Sequence, residues 1–335
     1  MLKVAMVGCG GIAHRHVQQI KSVPEIECVA LCDIVPAKTA QFREKYFPNA
    51  QTFDSFDDLL KSNLSIDAII EITPHTVHYL HAKAALEKGW HVLVEKPMVT
   101  ASEHAYDLWK TVKKSGKQLG IAYQSAYTEP YKYLAQERDK GTLGKFYLFT
   151  GYLSQSWLKP CANSWRHDPK LSGGGQMYDS GAHLLNAIMW LQNDPVVEVA
   201  CFYDNLGAPV DINGVAIAKF QNGGMASITI GGDCPLFRTE ITIQTDKMQI
   251  VTDQYGGKLE MTGKDGKKIY PHVAQELDHP GAGTSTLNFY RAIKGEEPLR
   301  APARYGVLLS ALMDAMYESA KTKSIVQVKP VPKDL

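Results

Sequence analysis

Two short segments carry side chains able to hold a reacting oxygen and move its proton. In HVLVEKPM, Glu95-Lys96-Pro97 sits just past the carboxyl end of a strand, the edge at which doubly wound sheets bind ligands. In Asp179-Ser180-Gly181-Ala182-His183 a carboxylate and an imidazole lie four residues apart, a spacing that predicts one helix face, with Asn186 three residues further along it. An imidazole titrates near neutrality, so the pairing suits proton transfer. A third segment is shaped for phosphate. The strand KVAMV runs into Gly8-Cys9-Gly10-Gly11-Ile12-Ala13, a G-x-G-x-x-A fingerprint in which Gly8 permits the tight turn and Gly10 lets the backbone approach a pyrophosphate. Ala13 allows close helix packing, and the helix starting there points free N–H groups at the phosphates, past Gly11 and Ile12. Asp33, 20 residues after Ala13 at the end of the second strand, can accept bonds from ribose hydroxyls and would repel a 2′-phosphate, which predicts NAD over NADP. Lys38 reads as a solvated helix residue.

The chain around these segments predicts the frame that holds them. Up to about residue 122, short runs rich in Val and Ile (KVAMV, ECVALC, AIIEI, HVLV and QLGIA) alternate with amphipathic helical patterns, as parallel strands covered on both faces do. Thr76 to Lys88 is one such helix, closed by Gly89. After a helix over about Thr128 to Lys140, the pattern turns to strands joined by tight turns. Asn222-Gly223 separates VAIAKF from MASITI, Gly256-Gly257 separates MQIVT from KLEM, and Asp265-Gly266 precedes KKIY. A Gly-rich junction, SGGGQMYDSGAHLLNAIMWL, lies between the two regimes. Its second half presents Leu184, Leu185, Ile188, Met189 and Leu191 on an apolar helical face. LNFYRAIKG and RYGVLLSALMDAMYESAKT read as late amphipathic helices. The expectation is an α/β chain of two domains: a dinucleotide-binding domain over residues 1–122, and a domain with a largely antiparallel sheet over 123–335.

Composition narrows the partners. The 335 residues are 44% hydrophobic and 21% charged, which is ordinary for a globular chain and leaves room for two cores. A net charge of +1 gives no basic excess to attract nucleic acid or an anionic membrane. No apolar run reaches the roughly 18 residues of a membrane span. With no secretion signal, the expected compartment is the cytoplasm. Cys9, Cys28, Cys32, Cys161, Cys201 and Cys234 are scattered without a C-x-x-C pair, which predicts buried free thiols. His75, His78 and His81 recur at intervals of three, but no carboxylate or cysteine completes a ligand set; they read as helix-surface histidines, and no metal is assigned.

Taken together, VGCGGIA, Asp33, ITPHTVHYLHAKAALEKGWHVLVEKP and GGGQMYDSGAH resemble the glucose-fructose oxidoreductase, inositol dehydrogenase and MocA (Gfo/Idh/MocA) family. The resemblance spans nearly the whole chain. It implies a Rossmann domain first, an α+β domain with a large, mostly antiparallel open sheet second, and late helices returning toward the first domain. It also implies a catalytic group of Lys96, Asp179 and His183. His183 is then the general base that takes a hydroxyl proton as hydride leaves the same carbon for nicotinamide C4, Lys96 bonds the reacting oxygen, and Asp179 orients the substrate or His183. Cofactor contacts are implied at Thr73, Pro74, His75, His78, Glu95 and Lys96, with Gln124 added to that set, and a cis bond before Pro97. Aromatic faces suit sugar rings, so Tyr152 and Trp165 join Arg166 as expected substrate contacts. For Arg166, in W-R-x-D-P, a plain salt bridge stays equally open.

The chain departs from the family pattern at three places. Many relatives show Arg-Phe-x-Pro where this chain has Gln124-Ser125-Ala126-Tyr127-Thr128-Glu129-Pro130. Asn186 stands where relatives often have Asp. Glu71, in EITP, replaces a small residue, and its carboxylate either helps to exclude NADP or is solvated. The leading expectation is an NAD-dependent dehydrogenase oxidising a secondary hydroxyl of a sugar, sugar derivative or cyclitol. The alternative is a glycosidase that uses NAD for transient oxidation at C3 followed by elimination. A sugar-sensing binding protein ranks third, since such relatives lack the lysine. A homodimer or homotetramer is implied, built on open sheets. MASITI presents Ala226, Ile228 and Ile230 on one face and Ser227 and Thr229 on the other, and one of these faces needs a cover.

Overall fold

The computed structural model describes residues 1–274 and 278–332. The first stretch alternates strand and helix: β1 (Leu2–Val7), α1 (Ala13–Lys21), β2 (Ile26–Cys32), α2 (Pro36–Tyr46), β3 (Gln51–Phe53), α3 (Phe56–Lys61), β4 (Ala68–Glu71), α4 (His78–Lys88), β5 (His91–Val94), α5 (Ser102–Ser115) and β6 (Leu119–Ile121). The strands form a six-stranded sheet of order β3-β2-β1-β4-β5-β6, parallel throughout. That order reverses at β1, and the crevice beyond the carboxyl ends of β1 and β4 is where doubly wound sheets take ligands. Every residue of β4 is buried, as a strand covered on both faces requires. Gly89, at φ +90°, closes α4 in the left-handed conformation.

The second stretch runs through α6 (Glu129–Asp139), β7 (Phe146–Ser156), the short helices α7 (Leu158–Cys161) and α8 (Pro169–Ser172), α9 (Gly181–Gln192), β8 (Val196–Asp204), β9 (Asn213–Phe220), β10 (Met225–Gly231), β11 (Asp233–Thr245), β12 (Met248–Thr252), β13 (Leu259–Gly263) and β14 (Lys268–Ile269). It is followed by α10 (Ser285–Lys294), α11 (Ala303–Thr322) and β15 (Val326–Gln327). The sheet has nine strands in the order β14-β13-β12-β11-β7-β10-β9-β8-β15, antiparallel except where β10 runs parallel to β7. On β9 and β10 buried and exposed residues alternate strictly, so one face carries a core and the other is open. Ala226, Ile228 and Ile230 are on the buried face, where Gly181 of α9 approaches Ile230 so closely that a Cβ would lie 2.8 Å from its Cδ1.

The chain divides into two compact units. One comprises Met1–Val99, Glu103–Tyr123 and Glu276–Ala303, and the other the remaining described residues. Thus α10 belongs to the first unit. Leu287 and Phe289 share its core with Val17 and Ile20 of α1, and Ser285 and Thr286 both donate to Oε1 of Gln19 at 3.0 and 2.9 Å. From Arg304 onward, α11 belongs to the second unit, where Ser319 Oγ accepts from the β8 N–H of Cys201 at 2.9 Å. Among the described residues no helix is long and apolar enough to cross a membrane.

Candidate active site

The phosphate loop is built as its glycines require. Gly8 has φ +98°, and a Cβ there would lie 2.7 Å from the carbonyl carbon of Ile72, so both conformation and space exclude a side chain. At Gly10 and Gly11 a Cβ would meet nothing within 4 Å, leaving the approach to α1 open. The first turn of α1 has neither a side-chain cap nor an acidic residue, so its N-terminal dipole faces that opening without an internal anion. Asp33 is fixed by two backbone donors, Cys9 N to Oδ2 at 2.8 Å and Val35 N to Oδ1 at 2.9 Å. An open glycine turn, an uncapped helix and an oriented carboxylate fit a dinucleotide with a free ribose 2′-hydroxyl.

The second element of this unit is the loop after β5. The Lys96–Pro97 peptide bond is cis. Glu95 Oε1 pairs with His16 Nε2 at 2.8 Å, and its Oε2 accepts the Lys96 N–H at 3.1 Å. His78 is wholly buried, with Nδ1 2.9 Å from Pro97 O and Nε2 2.9 Å from Thr73 O. Both its ring nitrogens are used inside the protein, so His78 braces the loop. His75 is buried as well and lies edge-on to His78, with ring centroids 6.0 Å apart. The reading of these histidines as surface residues is therefore corrected. His78 lies on the side of α4 that packs inward, His75 lies in the turn that precedes the helix, and His81 is half-covered by a stack on Phe56 at 4.1 Å. Thr73 and Pro74 are half-buried at the head of this turn. Glu71 is not solvated but fully buried, accepting from the Thr73 hydroxyl and pairing with His81 Nδ1 at 3.1 Å. Among the described residues no group of three or more His, Cys, Asp or Glu side chains is arranged to hold a metal ion.

In the second unit, α9 is buried along its whole length except at His183. The ring of this histidine meets Tyr255 edge-on, with centroids 5.3 Å apart. Asp179 lies outside the helix, which corrects the expectation of one shared helical face: α9 starts at Gly181, and Asp179 belongs to the turn before it. The cause lies 36 residues away in sequence. Asp211 accepts the N–H groups of Gly175 and Met177 at 2.7 and 2.8 Å, holding the glycine stretch in a bent, non-helical course. The triple glycine follows from this crowding. A Cβ would come within 2.5 Å of the Thr100 side chain at Gly173, 2.4 Å of Tyr178 at Gly174, and 1.9 Å of the Asp211 carbonyl oxygen at Gly175. Asp211 also accepts from the Tyr317 hydroxyl, and burial raises its carboxyl above the usual range. Asp179 is held by Trp157 Nε1 at 2.7 Å and Arg166 Nε at 2.8 Å, both on Oδ2. Arg166 in turn lies over the Trp165 ring, 4.6 Å from its centroid.

Residues 2–123 match the oxidoreductase family with an NAD-binding Rossmann fold, and residues 131–251 match the C-terminal domain of the same group, together well over half of the chain. The chain belongs to the Gfo/Idh/MocA family. It is accordingly an NAD-binding oxidoreductase. It is 26% identical over 353 residues to D-glucoside 3-dehydrogenase of Escherichia coli K12, covering 98% of this chain and 97% of that one. Over 293 residues it is 24% identical to inositol 2-dehydrogenase/D-chiro-inositol 3-dehydrogenase of Lactiplantibacillus plantarum, covering 85% and 75%. The fold matches that of the WlbA dehydrogenase from Bordetella pertussis, solved with NADH and UDP-GlcNAcA, at a TM-score of 0.84 and 23% identity over 99% of both chains.

Within this Gfo/Idh/MocA chain the structure separates the expected residues. Gly8, Gly10, Gly11, Ile12, Asp33, Thr73, Pro74, His75, His78, Glu95 and Lys96 fall in the first unit, and Gln124, Trp165, Arg166, Asp179 and His183 in the second. Tyr152 also falls in the second unit, on β7. Its neighbour Gly151 faces α9, where a Cβ would lie 2.8 Å from Ile188 Cδ1, so by alternation Tyr152 points from the opposite, open face. The β7 residue that does reach this segment is Gln155, which donates to Ser180 Oγ at 2.8 Å just before α9. Sequence reasoning missed Gln155, Asp211 and His16. Two of these left a signal: His16 falls on the apolar stripe of α1 between Ala13, Val17 and Ile20, and Asp211 interrupts an apolar run before β9.

Proposed function

We propose that the protein oxidises one secondary hydroxyl of a neutral sugar, sugar derivative or cyclitol. The observation that carries this reading is His183, the one residue of a buried helix left accessible, two residues past the start of that helix and four past an Asp179 held by two donors. Bound NAD supplies the hydride acceptor at nicotinamide C4. His183 takes the hydroxyl proton, so the carbon that loses hydride becomes a carbonyl. Lys96 donates to the reacting oxygen and stabilises the negative charge that develops on it. Asp179, positioned by Trp157 and Arg166, orients the substrate. Glu95 and the glycine loop serve the cofactor, and Asp33 favours the free ribose of NAD over the 2′-phosphate of NADP. The relatives named for glucoside and inositol oxidation support the substrate class. Six unpaired cysteines support a reducing, cytoplasmic compartment.

The test is to supply NAD or NADP with a panel of aldoses, inositols, sugar acids and glycosides, follow absorbance at 340 nm and analyse the products. NADH with a ketosugar is the expected result, abolished in Lys96→Ala and His183→Ala variants that still bind NADH. Aglycone released without net NADH would assign the glycosidase reaction instead. Silence across the panel from an NADH-binding protein would remove the dehydrogenase reading.

A further inference from the structure

His16 is chemically out of place. It occupies the inward stripe of α1 beside Ala13, Val17 and Ile20, and only 1% of it is exposed. An aliphatic side chain would fill such a position without burying polar atoms, and here Nδ1 is buried with no partner. The other nitrogen, Nε2, is 2.8 Å from Glu95 Oε1, and the second oxygen of that carboxylate accepts the Lys96 N–H. With a carboxylate as acceptor, Nε2 carries the proton and donates it. The loop is held from its other end by His78 Nδ1 on Pro97 O. Glu95, Lys96 and Pro97 are therefore gripped through histidines of two helices, one of which opens directly on the glycine loop.

We propose that His16 is a positioning residue: it fixes Glu95, and through it the Lys96 backbone, relative to the helix whose N-terminus receives the dinucleotide. This rests on the reading of Glu95 as a cofactor-side residue. Because Glu95 carries a charge, its hydrogen bond to a buried donor is among the stronger kinds, and a neighbour of similar volume but without the N–H cannot replace it. A glutamine at position 16 places its amide nitrogen close to the position of Nε2 and keeps the donor. Leucine fills the space and removes it.

The experiment is a fluorescence titration of the whole protein with NADH, using wild type, His16→Leu, His16→Gln, Glu95→Gln and the His16→Leu/Glu95→Gln double variant. Wild type binds; His16→Leu and Glu95→Gln each bind about tenfold more weakly, as expected for one lost charge-assisted hydrogen bond. His16→Gln stays within about threefold of wild type, and the double variant is no weaker than about twofold below Glu95→Gln alone. Should His16→Leu not fold, His16→Asn, whose amide stops short of Glu95, carries the same expectation. Wild-type affinity in His16→Leu, equal losses in the leucine and glutamine variants, or losses that multiply in the double variant would each overturn the proposal. A wild-type protein that binds no NADH would instead remove the reading on which it rests.

Discussion

Asp179 Oδ2 accepts two hydrogen bonds, from the Arg166 guanidinium at 2.8 Å and the Trp157 indole at 2.7 Å. Trp157 is 3% exposed and cannot turn away, while Arg166 approaches from the accessible side. Removing the arginine takes a charged donor away from a nearly buried carboxylate, and bonds to charged groups are worth about 1.5–3 kcal/mol. Arg166→Gln is therefore expected to lower kcat/KM by roughly ten- to a hundredfold with NADH affinity unchanged. Because both act through one carboxylate, Arg166→Gln/Asp179→Asn should lose little more than Asp179→Asn alone. Initial rates at 340 nm decide it, and losses that multiply would show the two to act independently.

How much of this was legible depends on the range of the interaction concerned. The glycine loop and Asp33 could be read because positive φ, close backbone approach and a strand-turn-helix context are local properties of KVAMVGCGGIA. The parallel order of the first sheet followed from strands apolar on both faces. The facing of Tyr152 could not be read, because alternation along a strand fixes only that neighbours face opposite ways. Which face α9 covers is decided by Leu184 and Ile188 packing on Gly151, a contact distant in sequence. Asp179 was placed on a helix for the same reason: the bend that excludes it is imposed by Asp211, across 36 residues from Gly175.

That bend gives the second prediction. In Asp211→Asn one acceptor oxygen remains, and the new amide N–H groups face a backbone donor at Gly175 or Met177 that the carboxylate now satisfies. A buried donor left without its acceptor costs about 1–3 kcal/mol, so the urea midpoint should fall with the slope unchanged. Tyr317→Phe removes a donor and leaves both backbone bonds intact, so its loss should be the smaller. If the asparagine variant were as stable as wild type, Asp211 would not be what shapes the glycine stretch.

Stability should also depend on His91. Burial, with Lys117 adding to it and Asp67 opposing, lowers its imidazole from 6.5 to about 4, and Nδ1 accepts the Gln118 N–H at 2.9 Å. The folded-state value is depressed, so between about pH 6.5 and 4 the unfolded chain binds a proton that the folded chain refuses. The neutral ring's contribution is present above that window and is lost as pH falls through it. His91→Gln keeps an acceptor for Gln118 and removes the titration, so its urea midpoint should decline less than that of wild type between pH 7 and pH 5. Parallel declines would rule His91 out as a source of acid sensitivity.

The open face of the nine-stranded sheet makes the last prediction. On β10 this face is polar at Ser227 and Thr229, but the adjoining strands are not. Val215 of β9 stands opposite Phe202 of β8, and Ile217 lies beside Ser227, with Phe202 68% and Ile217 62% exposed. Met225 and Tyr147 extend the apolar surface across β10 and β7. Scattered apolar residues need no cover, but a contiguous set on one face of a sheet predicts an interface. A second copy of the chain presents the same surface, as a two-fold contact requires. Light scattering at micromolar concentration should therefore give at least twice the 37.1 kDa chain mass. Ile217→Lys, which puts a charge at the centre of the patch without touching the buried face of β9, should shift the protein toward monomer while its NADH affinity stays intact. A wild-type particle of 37.1 kDa would mean that the face is not paired with its copy.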